Sequence, residues 1–339
     1  MSTSQSSTLA SSVKWELKPE TEFRFEVSPA ELVTVKLLAG TAEIFGAELC
    51  LGKQYSFSGV KYAVFTFDGA SIEVNGKCQV EYVSTECVVP FYMNLHLCLE
   101  KIRNTSLKEK RSLPRVLVLG TGRNSCVRTL VNYSIRQEKF PLVADLDVLN
   151  GNLLLPGAVS CALVNRLIEP EEEINISNPL AFYYGSSNWT DNSRYFCEII
   201  KSLSVFVDER INLIEQSLSD DSSSFSGLIG IFSSWTEGKS DELLKVTLKS
   251  LKINVLVVVG NERLYNSIKK EHETEHLDII SISKVSGLVS REVSFRRFQT
   301  SKRIREYFYG FNDEYYPYSH VLNIKDVEVW KIEDGIFYW

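Results

Sequence analysis

The feature that most narrows the fold is a short apolar segment that ends on a glycine and runs into a helix. Pro114-Arg-Val-Leu-Val-Leu-Gly120 has the length and branched content of a fully buried strand, and helical spacing follows it through Ile135. Pro141-Leu-Val-Ala-Asp-Leu-Asp147 reads as a second such strand, ending in carboxylates. Gly227–Ser233 and Ile253–Gly260 are two more, each with helical patterns beside it, and Leu277–Ser283 follows a helix that begins near Glu262. Strands that alternate with helices must cross over to pair, which predicts an α/β fold. Its centre is a P-loop NTPase-like parallel sheet flanked by helices.

A different texture precedes this region. Val33–Leu38, Ala42–Phe45, Tyr62–Phe67 and Gln79–Val83 mix apolar and polar positions, with Gly40, Gly46, Gly52, Gly59, Gly69 and Gly76 between or beside them. Glycines at such intervals predict a small all-β module with tight turns. Phe91 to Arg103 then has Leu95, Cys98, Leu99 and Ile102 on one helical face. The expected organisation is a disordered tail over 1–13, a β-domain plus helix over 14–103 and a polar, basic linker over 104–113. A P-loop domain over 114–312 and the start of a β-rich C-terminal domain over 313–339 complete it, with Val321–Ile332 strand-rich.

Composition excludes several classes. Apolar residues form 44% of the chain and charged residues 24%, the balance of a folded globular protein. No apolar run approaches the roughly 20 residues of a membrane span, and Met1 to Ser12 lacks a signal-peptide core. Seven scattered cysteines, an odd number, argue against a disulfide framework and for a reducing compartment. A net charge of −6 means that any nucleic-acid contact must come from local basic patches. Lys101–Arg115 and Arg291–Arg305 are two such patches. His272-Glu-Thr-Glu-His276 fits H-E-x-x-H, but its charged surroundings and the absence of a third ligand predict no metal site.

A working phosphate loop reads G-x-x-x-x-G-K-[ST]: the glycines let the backbone curl round the phosphates, the lysine neutralises them and the hydroxyl holds Mg²⁺. Counted from Gly120, Ser125 stands at the second glycine, Cys126 at the lysine and Val127 at the hydroxyl. Arg123 and Arg128 are nearby positive charges, neither at the lysine's place in this frame. Asp145 and Asp147 read either as a Mg²⁺-linked or general-base pair or as solvated acids capping a strand.

Longer blocks resemble one family. Trp15-Glu-Leu-Lys-Pro-Glu-Thr-Glu-Phe-Arg-Phe-Glu26, Gly40-Thr-Ala-Glu-Ile-Phe-Gly-Ala-Glu-Leu49, Tyr92-Met-Asn-Leu-His96 and Arg303-Ile-Arg-Glu-Tyr-Phe-Tyr-Gly310 are similar, in order, to the Clp-one family. Its members are polynucleotide 5′-hydroxyl kinases and mRNA cleavage factors. The resemblance covers residues 15 to about 332. It implies a β-domain, a P-loop domain and a small C-terminal domain, most of which is expected to be missing.

The resemblance also implies a site. Nucleotide contacts fall on Glu22 and Lys61, the phosphate loop on Gly120, Arg123, Asn124, Ser125, Cys126, Val127 and Arg128, a vestigial catalytic carboxylate on Asp147, and lid arginines on Arg291, Arg296 and Arg297. ATP is the candidate cofactor, with Mg²⁺ weakened by Val127. Trp189 stands where the family has proline, and Leu149-Asn150 where the animal kinases have Gly–Gln. Without the lysine and the hydroxyl, the expectation is a non-catalytic pseudo-kinase. It would serve as a nuclear scaffold subunit of the cleavage and polyadenylation complex, of the cleavage factor IA type. Its partners would be the subunit that reads the RNA polymerase II tail and the other cleavage factor IA subunits, with RNA contact indirect. The alternative is an active RNA 5′-hydroxyl kinase.

Overall fold

The computed structural model describes residues 12–172, 179–217, 224–272, 276–283, 293–310, 313–328, 331–333 and 336–338. The first part is a β-sandwich of β1 (Val13–Leu17), β2 (Thr21–Glu26), β3 (Val33–Gly40), β4 (Glu43–Ile44), β5 (Ala47–Glu48), β6 (Gln54–Phe57), β7 (Lys61–Thr66), β8 (Ala70–Asn75) and β9 (Val80–Ser84). One sheet has the order β1-β8-β3-β6 and the other β5-β4-β7-β2-β9. Alternation decides which face is inward: in β3, Val33, Val35 and Leu37 are buried while the residues between them are not. Those side chains meet Phe23, Phe25, Ile44, Tyr55, Phe57 and Ile72 in one core. Val13, assigned to the tail from sequence, already pairs with Val74.

A long helix, α1 (Val89–Glu109), leaves the sandwich; a proline stands in its first turn, and Lys110 ends it in the left-handed conformation (φ 52°). This corrects the expected linker over 104–113. Arg103 and Ser106 are buried, and the Arg103 guanidinium donates to the Ser226 carbonyl (2.6 Å) and pairs with Glu100. The basic residues of this stretch, Lys108, Lys110 and Arg111, are exposed at the end of α1, and the connector shrinks to the few residues before Arg115.

The second domain continues with β10 (Arg115–Gly120), α2 (Arg123–Arg136), β11 (Phe140–Asp145), β12 (Ala158–Leu163), β13 (Leu180–Tyr183), α3 (Ser193–Ser217), β14 (Phe225–Ile231), α4 (Ser240–Ser250), β15 (Val255–Val259), α5 (Glu262–His272), β16 (Asp278–Ile282) and α6 (Val293–Tyr309). The sheet order is β13-β12-β11-β14-β10-β15-β16, parallel from β11 to β16. The β12–β13 margin is antiparallel, which its short segments did not announce. Buried cores lie on both faces. The chain leaves β10 for β11 on one side and reaches β15 on the other, so the crevice forms at the carboxyl ends of β10, β11 and β14.

After α6, a single 3₁₀ turn at Ile324–Asp326 precedes a small hairpin of β17 (Lys331–Glu333) and β18 (Ile336–Tyr338). The strand-rich reading of 321–332 is corrected over Val321–Val327, which forms no strand.

Candidate nucleotide cleft

The turn from β10 to α2 is much tighter than the frame counted from Gly120 requires. Helix α2 already starts at Arg123, capped by Gly122 in the left-handed region (φ 91°). Gly120 is itself at φ +98°, and a Cβ there would lie 2.2 Å from the Val259 carbonyl oxygen. Only Thr121 therefore separates the two glycines, where a full phosphate loop has four residues. This shifts the sequence frame. Cys126 and Val127 are not loop residues; both are fully buried on the inner face of α2, and burial pushes the Cys126 thiol far up. The residue that follows the second glycine is Arg123, and Asn124 and Ser125 come next.

The two arginines of this segment do different work. Arg123 Nη2 donates to Asp147 Oδ2 (2.7 Å) and its Nη1 to the Gly120 carbonyl (3.3 Å). Arg128 is buried; it donates to the carbonyls of Glu169 and Glu172 and lies 4.7 Å from the Phe45 ring centroid. It ties α2 to the 165–172 loop and to the sandwich.

The two carboxylates also divide. Asp145 accepts from the amides of Asp147, Asn152 and Leu153 and from the Asn152 side chain, fixing the loop after β11. Burial, with Asp147 close by, pushes its carboxyl up to about 6. Asp147 takes Arg123 and the Asn150 amide (2.6 Å) on one oxygen. Its Oδ1 is buried without a hydrogen-bond partner, as are Arg123 Nε and Asn124 Oδ1. Three orphaned polar atoms, two at the start of α2 and one in the loop after β11 that it bonds, mark a place where a polar ligand is expected.

A cleft made of two adjoining hollows leads from the start of α2 to the sandwich. Its inner part is lined by Asn124, Ser125, Arg128, Asn150, Asn152 and Ile231, its sandwich end by Glu22, Arg24, Lys61, Tyr82 and Tyr92, and Phe45, Tyr62 and Ser125 belong to both. Glu22 and Arg24 pair at 2.5 Å; burial raises the Glu22 carboxyl against the pull of the guanidinium. Lys61 pairs with Glu26 (2.7 Å). Helix α6 closes the far side with Arg296, Gln299, Thr300 and Arg303, one face at helical spacing. Gln299 Nε2 donates to the Gly59 carbonyl (2.6 Å) and Lys61 lies 5.9 Å from the Phe295 ring centroid.

Of the residues expected from sequence, Glu22, Lys61, Asn124, Ser125, Arg128 and Arg296 line the cleft, and Arg123 and Asp147 stand behind its wall. Arg297 is exposed and outside the lining, Cys126 and Val127 are core, and Arg291 lies outside the described residues. Sequence reasoning passed over Phe45, Tyr62, Gln299 and Arg303 as site residues. Phe45 sits in a quoted family block and Tyr62 beside the expected Lys61, and the last two share the helical face of Arg296. Among the described residues no three His, Cys, Asp or Glu side chains converge on a metal position. Asn124, where a hydroxyl would hold Mg²⁺, offers only an amide oxygen.

Two family models match the chain: "mRNA cleavage and polyadenylation factor CLP1 P-loop" over residues 119–310, and "N-terminal beta-sandwich domain of polyadenylation factor" over residues 16–106. The chain belongs to the Clp1 family. It is 34% identical over 323 residues to Polyribonucleotide 5′-hydroxyl-kinase Clp1 of Bos taurus, a match that spans 94% of this chain and 74% of that protein. Among solved structures it is similar to Clp1p in its complex with Pcf11p, with a TM-score of 0.82, 23% identity, and coverage of 95% of this chain and 79% of that one. A second Clp1p structure with Pcf11p, described for ATP loss in a glycine-to-arginine point mutant, gives 0.81 over the same coverage. At 23% identity these neighbours establish the fold: a sandwich joined to a P-loop domain.

The relatives also correct the expectation of a non-enzyme. A protein 34% identical over nearly the whole chain is named as a kinase, so the reading of this chain as a pseudo-kinase, which rested on the altered loop, does not stand. The frame on which that reading was built is displaced by the structure as well.

Proposed function

We propose that this Clp1-family chain is a nucleotide-binding subunit of the nuclear machinery that cleaves and polyadenylates pre-mRNA, and that it docks a Pcf11-like partner. The observation that carries the reading is the cleft shared by the sandwich, α2 and α6. It has an aromatic and acid–base wall at one end and the first turn of α2, with Arg123 directly behind the lining, at the other. That polarity suits a base and ribose at the sandwich end and phosphates at α2, where the helix dipole and N–H groups favour anions. ATP is the ligand assigned to it. The partner comes from the Clp1p–Pcf11p complexes that the fold resembles.

The test is paired. Calorimetry of the purified chain with ATP should show saturable binding, which charge reversal at Lys61 weakens. Affinity purification from nuclear extract should recover a Pcf11-like subunit. Absence of both would remove the proposal.

A second reading, transfer of phosphate to polyribonucleotide 5′-hydroxyl ends, is favoured by one specific feature: the buried Asp147 carboxylate stands at the carboxyl end of the sheet, bridged to Arg123 and Asn150. It predicts label transfer from ATP to 5′-hydroxyl RNA that disappears in Asp147→Ala. Transfer that persists in that variant would count against it.

A further inference from the structure

In the shortened turn, the group that a phosphate loop normally contributes as lysine is replaced by a guanidinium with a partner of its own. We infer that Arg123 is the residue that reads the β- and γ-phosphates of the nucleotide, and that Asp147 is its resting counterion, so that phosphate and Asp147 compete for one guanidinium. The inference rests on the nucleotide-binding reading and assigns the phosphate end of that site.

Position comes first. Arg123 is the first residue of α2 and directly follows the capping Gly122, the junction at which a phosphate loop places its cation. Arg128 is excluded by its own bonds: it is buried and spends its Nη2 on three carbonyls of the 169–172 segment. The Thr121 amide donates to Val259 (2.9 Å) and the Cys126 amide closes the first helical bond to Gly122. With one residue between the glycines there is no amide curl of the usual size, and recognition of a phosphate chain falls on the side chain.

The hydrogen-bond inventory supports a shared guanidinium. Nη2 is on Asp147, Nη1 is on Gly120 at a long 3.3 Å, and Nε is buried with no partner, beside the orphaned Asn124 Oδ1 and Asp147 Oδ1. A buried carboxylate cannot be left alone without a large cost, so Asp147 holds Arg123 until an anion of comparable charge competes. Asn150, already on Asp147 and lining the cleft, stays behind as the carboxylate's remaining donor. Arginine's planar fork suits a phosphate pair better than an ammonium would in so short a turn.

The experiment is calorimetric titration of the full chain with AMP and with ATP. The unaltered protein should bind ATP about tenfold more tightly than AMP. In Arg123→Gln that ratio should fall to about one while AMP affinity moves by less than about threefold. Asp147→Asn, which frees the guanidinium, should raise the ratio above that of the unaltered protein. Arg123→Lys, which keeps the charge, should retain most of the preference; a loss as complete as in Arg123→Gln would trace the effect to packing and overturn the assignment. Equal affinity for AMP and ATP in the unaltered chain, or a preference untouched by Arg123→Gln, would also overturn it while leaving the nucleotide reading intact. Failure to bind either nucleotide would remove both.

Discussion

The two ends of the cleft hold their charges differently. At the sandwich end, Glu22 and Arg24 are locked on successive cleft-facing positions of one strand, and Arg24 also reaches Tyr82 (3.3 Å) and the Glu86 carbonyl (2.5 Å). The strand ladder already fixes that network. At the α2 end, Arg123 on the first turn of the helix is joined to Asp147 in the loop after β11, with polar atoms left over on both sides. A preorganised wall suits recognition of a rigid base, whereas a contested pair suits a ligand that brings its own charge. The contrast teaches that a lost motif residue need not mean a lost role, because a neighbour two or three positions away can be carried into its place when the loop contracts.

Four changes break or sharpen this contrast, beginning with the largest effect. Asp145→Ala strips the acceptor from three amides and the Asn152 side chain, and should destabilise the protein by about 4 kcal/mol in urea unfolding. A change below about 1 kcal/mol would mean that the loop after β11 is held elsewhere. Glu22→Ala leaves Arg24 buried without its carboxylate and should cost about 2–3 kcal/mol by the same measurement, with ATP affinity falling alongside. Loss of affinity without loss of stability would mark Glu22 as a ligand contact rather than part of a rigid wall.

The third is a pH dependence. His96 sits one turn beyond Tyr92 in α1, packed against Tyr133, and burial pushes its imidazole down to about 4 despite Glu100 nearby. A base with a depressed folded pKa contributes stability above its unfolded value near 6.5 and loses it as pH falls toward 4. From pH 7 to pH 5 the loss is about 2 kcal/mol. Asp145, raised to about 6, works in the opposite sense: its contribution is present below its ordinary value of 3.8 and fades as pH rises through 6. Comparing His96→Leu with the unaltered chain cancels Asp145, and the variant should be less acid-sensitive by that amount. Identical pH profiles would show that His96 is not held neutral. Smallest is Gly59→Ala. Gly59 is at φ +62° and a Cβ would meet the Phe298 ring at 2.4 Å, so α6 should dock less firmly on the sandwich. About 1 kcal/mol and faster proteolysis within α6 are expected.

The buried strands were legible because a run such as Val116–Leu119 can be little else, and the family blocks placed the sandwich correctly. Helix α1 was read six residues short, since Asn104–Glu109 is polar and Arg103 gives no hint in sequence that it will be buried against Ser226. Strand β12 and the edge strand β13 were missed because partners, not composition, define them. At the site, Glu22 and Lys61 came from resemblance and do line the cleft. The loop was misregistered because a motif frame assumes a length, and only backbone geometry shows that Gly122, not Ser125, caps α2. Arg296 was expected, while Gln299 and Arg303 required knowing which face of α6 turns inward.

The central claim is that a nucleotide spans both walls of this cleft. Hydrogen–deuterium exchange of the full chain with and without ATP tests it most directly. The account predicts slower exchange both in Lys61–Thr66 and in the first turns of α2, from Arg123 to Thr129. Unchanged exchange at both walls under saturating ATP would contradict it.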